Sequence, residues 1–474
     1  MPAQTVANPS QTGGQAWLFG PASDLLLGCG LAYVPVFLLL LAFGFNIQQV
    51  FPLAIMPLLA LFISIPHYGS TLLRVYERRE ERHKYRLFSV YLTAAVWLWF
   101  VAGTRSASLG SALVTLYFVW SPWHYMGQNY GVALMFLGRR RIPVSAELKR
   151  LLHLSFLCSF FLAVTEMQSL ESGTGHYAVL TLGLSDAVRD GMYLLFGSTY
   201  IYATLRAAVM LLRHASIAAL LPTALLVFSQ ALWFLVPLLA IRFNLFQDTV
   251  ALSMDQGTYA FFWIAIAHAA QYLWITSYYA RKEQTAASIP AFLGKALVAG
   301  ALIWIVPALL FSPALLGTVR YEAGLSLLVA AAVNVHHFIL DGAIWKLRQG
   351  KIANILLRSE EELSEPRASR LPALVKPALV GIGALCVAVE YVGTVSNLRL
   401  ERALSARDLQ SVQEAAGMLS YVGRDDAMMQ VSIANLAYSV GDESAAHDHL
   451  NRAIALDASL GERIVVASGG EGAP

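Results

Sequence analysis

Apolar runs of about twenty residues alternate with short polar or basic connectors along most of the chain. They fall at approximately 24–45, 50–72, 87–104, 110–137, 151–166, 191–212, 217–241, 258–280, 290–311, 322–346 and 376–396. A helix rises 1.5 Å per residue, so runs of this length match a hydrocarbon layer roughly 30 Å thick. The pattern predicts an all-α fold, a polytopic transmembrane helix bundle of about eleven spans over residues 1–396. The run at 191–212 is the least regular, because Arg206 interrupts it and Gly197 and Ser198 sit inside it. The stretch from His176 to Asp186 reads as interfacial or re-entrant.

After Val395 the pattern changes to that of a soluble helical segment, 397–464. Within it, ANLAYSVGDESAAHDHLNRAIALDAS (434–459) resembles a tetratricopeptide (TPR) repeat. Ala434 and Ala437 fall in a first helix, Gly441 and Asp442 in a turn, and Ala445, Leu450, Ala453 and Ile454 on the face of a second. A more degenerate unit over 403–430 precedes it. One or two repeats fall short of the usual three, so this tail reads as a docking appendage for a protein partner, or rests on the membrane part. The end, 465–474, reads as disordered.

Composition agrees with the pattern. Of 474 residues, 57% are hydrophobic and 13% charged, with a mean hydropathy of +0.57; soluble domains carry roughly 25% charged residues. The net charge of +3 is small and its basic residues are clustered, at Arg74 to Arg86, Arg139 to Arg141, Lys149–Arg150, Arg281–Lys282 and Lys346 to Lys351. Clustering of this kind reads as membrane topology and excludes a nucleic-acid surface. By the positive-inside rule these clusters face the cytoplasm, so spans two, four, eight and ten run from outside to inside. The N-terminus then lies inside, and the tail outside if the span number is odd. A bacterial cytoplasmic membrane is the expected location. Cys29, Cys158 and Cys386 stand in separate apolar runs with no CxxC pairing, so neither a disulfide framework nor a zinc motif is expected. The polar stretch from Met1 to Gly20 lacks the form of a cleaved signal peptide.

Five histidines lie inside the apolar runs. Ionisable residues at such depth are rare and mark functional sites by default. In IPHYGSTLLRVY, His67, Ser70, Thr71 and Arg74 share one helical face; in WSPWHYMGQNYG, His124 and Gln128 are four apart, with Gly127 and Gly131 expected to allow close helix approach. In IAHAAQYLWITSYYAR, His268, Gln271 and Tyr272 share a face. In NVHHFILDGAIWKLR, His337 and Asp341 are four apart, and His336 is turned about 100° away. Counting to the basic cluster that follows each, His67 is 11 residues from Arg78, His124 15 from Arg139, His268 13 from Arg281 and His337 9 from Lys346. These separations are about 14–22 Å, which puts all four near the midplane or in the inner half of the bilayer.

A single intramembrane histidine is as readily an interhelical hydrogen-bonding group as a ligand. Five on four spans point instead to one shared metal or haem site, with His67, His124, His268 and His337 as the ligands and His336 held in reserve. Neutral imidazole suits Zn, Cu, Fe and Ni, and three or four histidines with an open position suit non-haem iron. Asp341, Gln128, Gln271 and Tyr272 are the expected catalytic or orienting partners, Asp341 also a candidate ligand. Elsewhere His83 reads as solvated, His153, His176 and His214 as interfacial, and His447 and His449 as surface residues of the repeat. Trp120, Trp123, Trp274 and Trp345 read as belt or packing residues, and Arg206 and Glu390 as charges that snorkel to a membrane edge.

The order of these motifs, Pro66–His67, His124 with Gly127, His268 in a span ending at Arg281, and His337 with Asp341, resembles the Brp/Blh family of membrane carotene-cleaving dioxygenases. That resemblance implies one iron held by histidines of several transmembrane helices, and oxidative cleavage of a polyene. The family carries a second histidine in its third motif, where this chain has Gln271 and Tyr272, and His336–His337 has no counterpart in it. The HxxxH and HxxHH boxes of membrane desaturases are absent, which excludes a di-iron site of that kind. The expected function is an integral membrane metalloenzyme, an iron-dependent oxygenase or oxidase for a lipid or other lipid-soluble substrate. Its rivals are a haem-binding electron carrier, a transporter with a histidine-lined path, and a non-catalytic assembly protein working through its tail.

Overall fold

The computed structural model describes residues 16–43, 56–77, 85–173, 175–236, 254–283, 287–313, 315–345, 354–357, 375–457 and 460. Among them the fold is all-α, with no strand. The end predicted to be disordered, His83 and the basic stretches 78–84 and 346–353 lie outside the described residues.

The helices are α1 (Pro21–Gly28), α2 (Tyr33–Phe43), α3 (Met56–Tyr76), α4 (Leu87–Gly103), α5 (Ala107–Arg139), α6 (Ala146–Ser169), α7 (Asp186–Leu212) and α8 (Ile217–Phe234). They continue with α9 (Met254–Lys282), α10 (Ile289–Leu310), α11 (Ala323–Ile344) and α12 (Val375–Ala406), and then α13 (Leu409–Tyr421), α14 (Ala427–Ser439) and α15 (Glu443–Leu456). Seven of these, α3, α6, α7, α8, α10, α11 and most of α12, are long and apolar enough to cross a membrane; the pair α1 and α2, bent by 49°, makes up to eight. Gly30, at φ 76°, sits at that bend in a conformation glycine adopts without strain. The sequence pattern anticipated eleven. Helices α5 and α9 fall short on apolarity because they carry the polar residues of the histidine motifs, and α4 on length.

Serine and aspartate side chains set the helix starts by accepting a backbone N–H that the first turn leaves unpaired. Ser145 accepts from Leu148 N at 3.1 Å and Asp442 from Ala445 N at 3.0 Å. The segment at 176–185 is non-helical. Its Tyr177 is buried, donates to Gly103 O at 3.0 Å, and has its phenol pushed above the ordinary tyrosine range by that burial.

Helix α5 is the hub, packed on α4, α6, α8 and α11, while α3 packs on α9, α10 and α11. The tightest approach is between α3 and α10. A Cβ on Gly69 would stand 1.8 Å from Ala296 O, and one on Gly300 1.9 Å from Ile65 O. The expected close approach at Gly127 and Gly131 does not occur: a Cβ at either would meet nothing within 4 Å. Among the described residues, no neighbouring helix touches either position.

The four histidine-bearing helices run the same way, with their basic ends together. The Arg74 guanidinium near the end of α3 lies 3.9 Å from the ring centres of both Tyr279 of α9 and Trp345 after α11. Arg139, at the end of α5, lies 5.9 Å over Tyr278 of α9. Arg139 is itself buried, donating to Leu356 O at 2.7 Å and Trp17 O at 2.5 Å. Parallel helices joined at their ends bring residues of equal depth together.

The composition change after Val395 falls inside α12, which runs unbroken to Ala406. In the tail, α14 and α15 form a hairpin through Gly441, at φ 84°, with Ala437 and Ala453 fully buried between them. Glu390 does not snorkel. It is buried and accepts a hydrogen bond from the half-buried Arg424, from Nη2 at 2.5 Å.

Candidate metal centre

Four of the five intramembrane histidines converge. Ring centroids are 4.2 Å apart for His67 and His337, 5.1 Å for His67 and His268, 4.9 Å for His124 and His268, and 5.0 Å for His124 and His337. One ligand nitrogen from each falls within 4.8 Å of all the others. The Nε2 atoms of His124 and His337 are 3.3 Å apart; nitrogens bound 2.0–2.1 Å from an ion at tetrahedral corners stand about 3.3 Å apart. Four helices with their basic ends in common therefore bring to one level imidazoles that are up to 270 positions apart in sequence.

Hydrogen bonding shows what the group lacks. Both ring nitrogens of His67 and both of His268 are buried without a partner. A buried polar atom left unpaired costs about 1–3 kcal/mol, so four in two touching rings are a large cost to leave uncompensated. A cation taking one lone pair from each ring removes much of it, and four neutral imidazoles are a donor set for a transition metal. The cluster could hold such an ion.

His336 stands apart from this group. Its Nε2 lies 3.0 Å from Thr93 Oγ1 and 3.5 Å from Tyr76 OH. The 100° turn from one helix position to the next aims it at α4, while His337 faces α3 and α5. Its expected place among the ligands is not where the structure puts it.

Asp341 reaches the cluster in two ways. Its Oδ2 is 3.8 Å from His124 Nε2. Its Oδ1 accepts from Tyr272 OH, which also meets Thr71 Oγ1 at 2.6 Å, and Thr71 Oγ1 in turn meets His337 Nδ1 at 3.1 Å. Thr71, not Asp341, is thus the group that fixes the His337 ring. Trp345, expected as a belt or packing residue, donates Nε1–H to Tyr272 OH at 3.0 Å. Sequence spacing offered one signal for Thr71, its place four residues after His67 on the face of α3.

Gln128 and Gln271, expected to orient the imidazoles, touch no imidazole nitrogen. They belong to a chain of amides beside the cluster. Gln128 Nε2 donates to Gln271 Oε1 at 2.5 Å and to the backbone O of His268 at 3.3 Å. Gln271 Nε2 donates to Gly28 O at 2.7 Å and Asn129 Oδ1 at 3.1 Å, Asn129 Nδ2 to Gln230 Oε1 at 2.9 Å, and Gln230 Nε2 to Ser159 Oγ at 2.9 Å. Their role is to fix α5 and α9 against α1, α8 and α6 around the histidines. Asn129, Gln230 and Ser159 were missed because single amides and hydroxyls in apolar helices form no motif.

Of the other histidines, His153, His176, His214 and His447 are exposed. His449 is half-buried, and its Nδ1 meets Gln430 Oε1 at 2.6 Å, across the hairpin. The three cysteines are buried and free. No protein-family model, curated protein or solved structure matches the chain, so its function is read from this geometry.

Proposed function

We propose that this is an integral membrane metalloenzyme, an iron-dependent oxygenase or oxidase acting on a lipid-soluble substrate, with His67, His124, His268 and His337 as the ligands. The observation that carries it is the convergence of four imidazoles on one point, two of them with no other partner. The four imidazoles would hold the iron, which when bound would supply activation of O₂, while the protein keeps the site dry. In this reading Thr71 orients His337, and Tyr272 holds its proton against Asp341. Asp341, 3.8 Å from His124 Nε2, would place a counter-charge near a bound cation, where low dielectric makes it matter. The similarity to the Brp/Blh family rests on the same four histidines. The wider reading takes eleven apolar stretches as spans in a bacterial cytoplasmic membrane, and the tail as a TPR-like docking module.

The haem alternative needs two imidazoles on opposite sides of a flat macrocycle. Rings packed at 4.2–5.1 Å centroid spacing leave no slot for one.

Elemental analysis and an optical spectrum of the purified protein test the proposal. The expected result is about one iron per chain with no Soret band, lost in His67→Ala and His268→Ala and kept in His336→Ala. Protein that holds no stoichiometric transition metal overturns it.

A further inference from the structure

The four ligands are not equally enclosed. His67, His268 and His337 are 1–2% exposed, whereas His124 is half-buried, with 9% of its side chain accessible. It stands near the middle of the 33-residue α5, which in the eleven-span reading is the depth of acyl chains. Around it, Trp123 is 43% exposed, and Gly127, one turn on, is exposed with nothing within 4 Å of where its Cβ would lie. Among the described residues, His124 is therefore the ligand nearest the surface, on the side of α5 where Gly127 meets no neighbour.

The next residue on that face carries an unused acceptor. The Gly28 carbonyl can only accept, so it fixes the Gln271 amide with Nε2 as donor and Oε1 as acceptor. Gln128 must then offer Nε2 to Gln271 Oε1, as it does to the His268 carbonyl. Both choices leave Gln128 Oε1 without a donor; it is buried and has no partner. Two backbone carbonyls thus determine an amide orientation that presents a lone acceptor one turn from a ligand histidine. Buried acceptors are almost always paired, so this one calls for a donor from outside the protein.

We propose that the opening beside His124 admits an apolar molecule carrying a hydroxyl group, a lipid-soluble alcohol, from the bilayer core. Gly127 leaves room for its hydrocarbon, and Gln128 Oε1 accepts its O–H. This rests on the proposed metal site and narrows its substrate class from lipid-soluble molecules in general to those with one hydrogen-bond donor.

A pair of photoreactive probes tests it: a C16 alcohol with a diazirine in its chain, and the methyl ether of the same compound. The full-length, metal-loaded protein in phosphatidylcholine nanodiscs is irradiated with each, and labelled peptides are mapped by mass spectrometry. The alcohol is expected to label α5 around Trp123–Gln128 about tenfold more than the ether, as loss of one hydrogen bond implies. Gln128→Met should bring the two probes level. Gly127→Trp, whose side chain meets no packed neighbour, should suppress both, and metal content checks the folding of each variant. Equal labelling by alcohol and ether in metal-loaded wild type, or label spread evenly over the lipid-facing helices, overturns the inference alone. Metal-free wild-type protein overturns the proposed function and this inference with it.

Discussion

Thr71 shows what one hydroxyl does at this site. It is the only side chain bonded to both Tyr272 and His337 among the described residues, and it is 1% exposed. Outer groups that orient a ligand histidine typically carry a ten- to hundredfold share of metal affinity. Thr71→Val keeps the shape and removes the bond, so metal retained against a graded chelator is expected to fall by roughly that factor. Thr71→Ser, which keeps the hydroxyl, should hold metal like the wild type. Equal retention by Thr71→Val and wild type would remove Thr71 from the site. At this scale the sequence was readable where chemistry is costly. Histidines in apolar runs stand out because lipid offers them nothing, and four of the five do converge. His336 shows the limit, since adjacent positions differ only by rotation about the helix, and no spacing says which of the two faces the bundle axis. Thr71 was legible only as a neighbour of His67 on one helical face, and Asn129 and Gln230 were hidden, as uncharged polar residues are ordinary in membrane helices.

Between elements, small residues decide how near two helices come, and the sequence did not say which small residues do so. Gly127 and Gly131, four apart beside a candidate ligand, looked like a contact stripe, yet face open space; Gly69 and Gly300 carry the contact instead. A glycine permits close approach only where a partner helix crosses, and the crossing point is a tertiary fact. The difference is measurable. Alanine at Gly69 or Gly300 would put its Cβ within 2 Å of a carbonyl oxygen, which cannot yield without moving the backbone. A loss of about 1–3 kcal/mol or more is expected, read as a lower unfolding midpoint in detergent. Because α3 carries His67 and Thr71, weaker metal retention should accompany it. Gly131→Ala meets no atom, and replaces glycine by a better helix former. It is expected to be neutral, or stabilising by up to about 1 kcal/mol. Span number was legible from apolar run length only in part, since α5 and α9 spend their apolarity on the very residues that make the site.

For the whole molecule, the pairing of Glu390 with Arg424 fixes where the tail sits. Arg424 lies between α13 and α14, donates to Glu390 of α12 at 2.5 Å, and stands 4.8 Å over the ring of Tyr321 at the start of α11. The other end of α11 leads to Trp345, which stacks on Arg74 where the basic ends of the bundle gather. The tail therefore packs at the end of the bundle opposite the basic clusters, and the positive-inside reading of those clusters predicts that it lies on the outer face. Protease added to right-side-out spheroplasts is expected to cut within 409–457, and inverted vesicles to protect it; cutting in inverted vesicles alone would reverse the assignment. The pair also sets how firmly the tail is held. Removing one member of a buried ion pair typically costs about 3–5 kcal/mol, because the other charge is left desolvated and alone, whereas replacing both by apolar groups costs little. Arg424→Met is therefore expected to speed cleavage of the tail markedly, and Glu390→Met with Arg424→Met together to restore most of the resistance. If the single variant is cut no faster than wild type, the ion pair does not anchor the tail, and the apolar contacts between α12 and α13 must hold it instead.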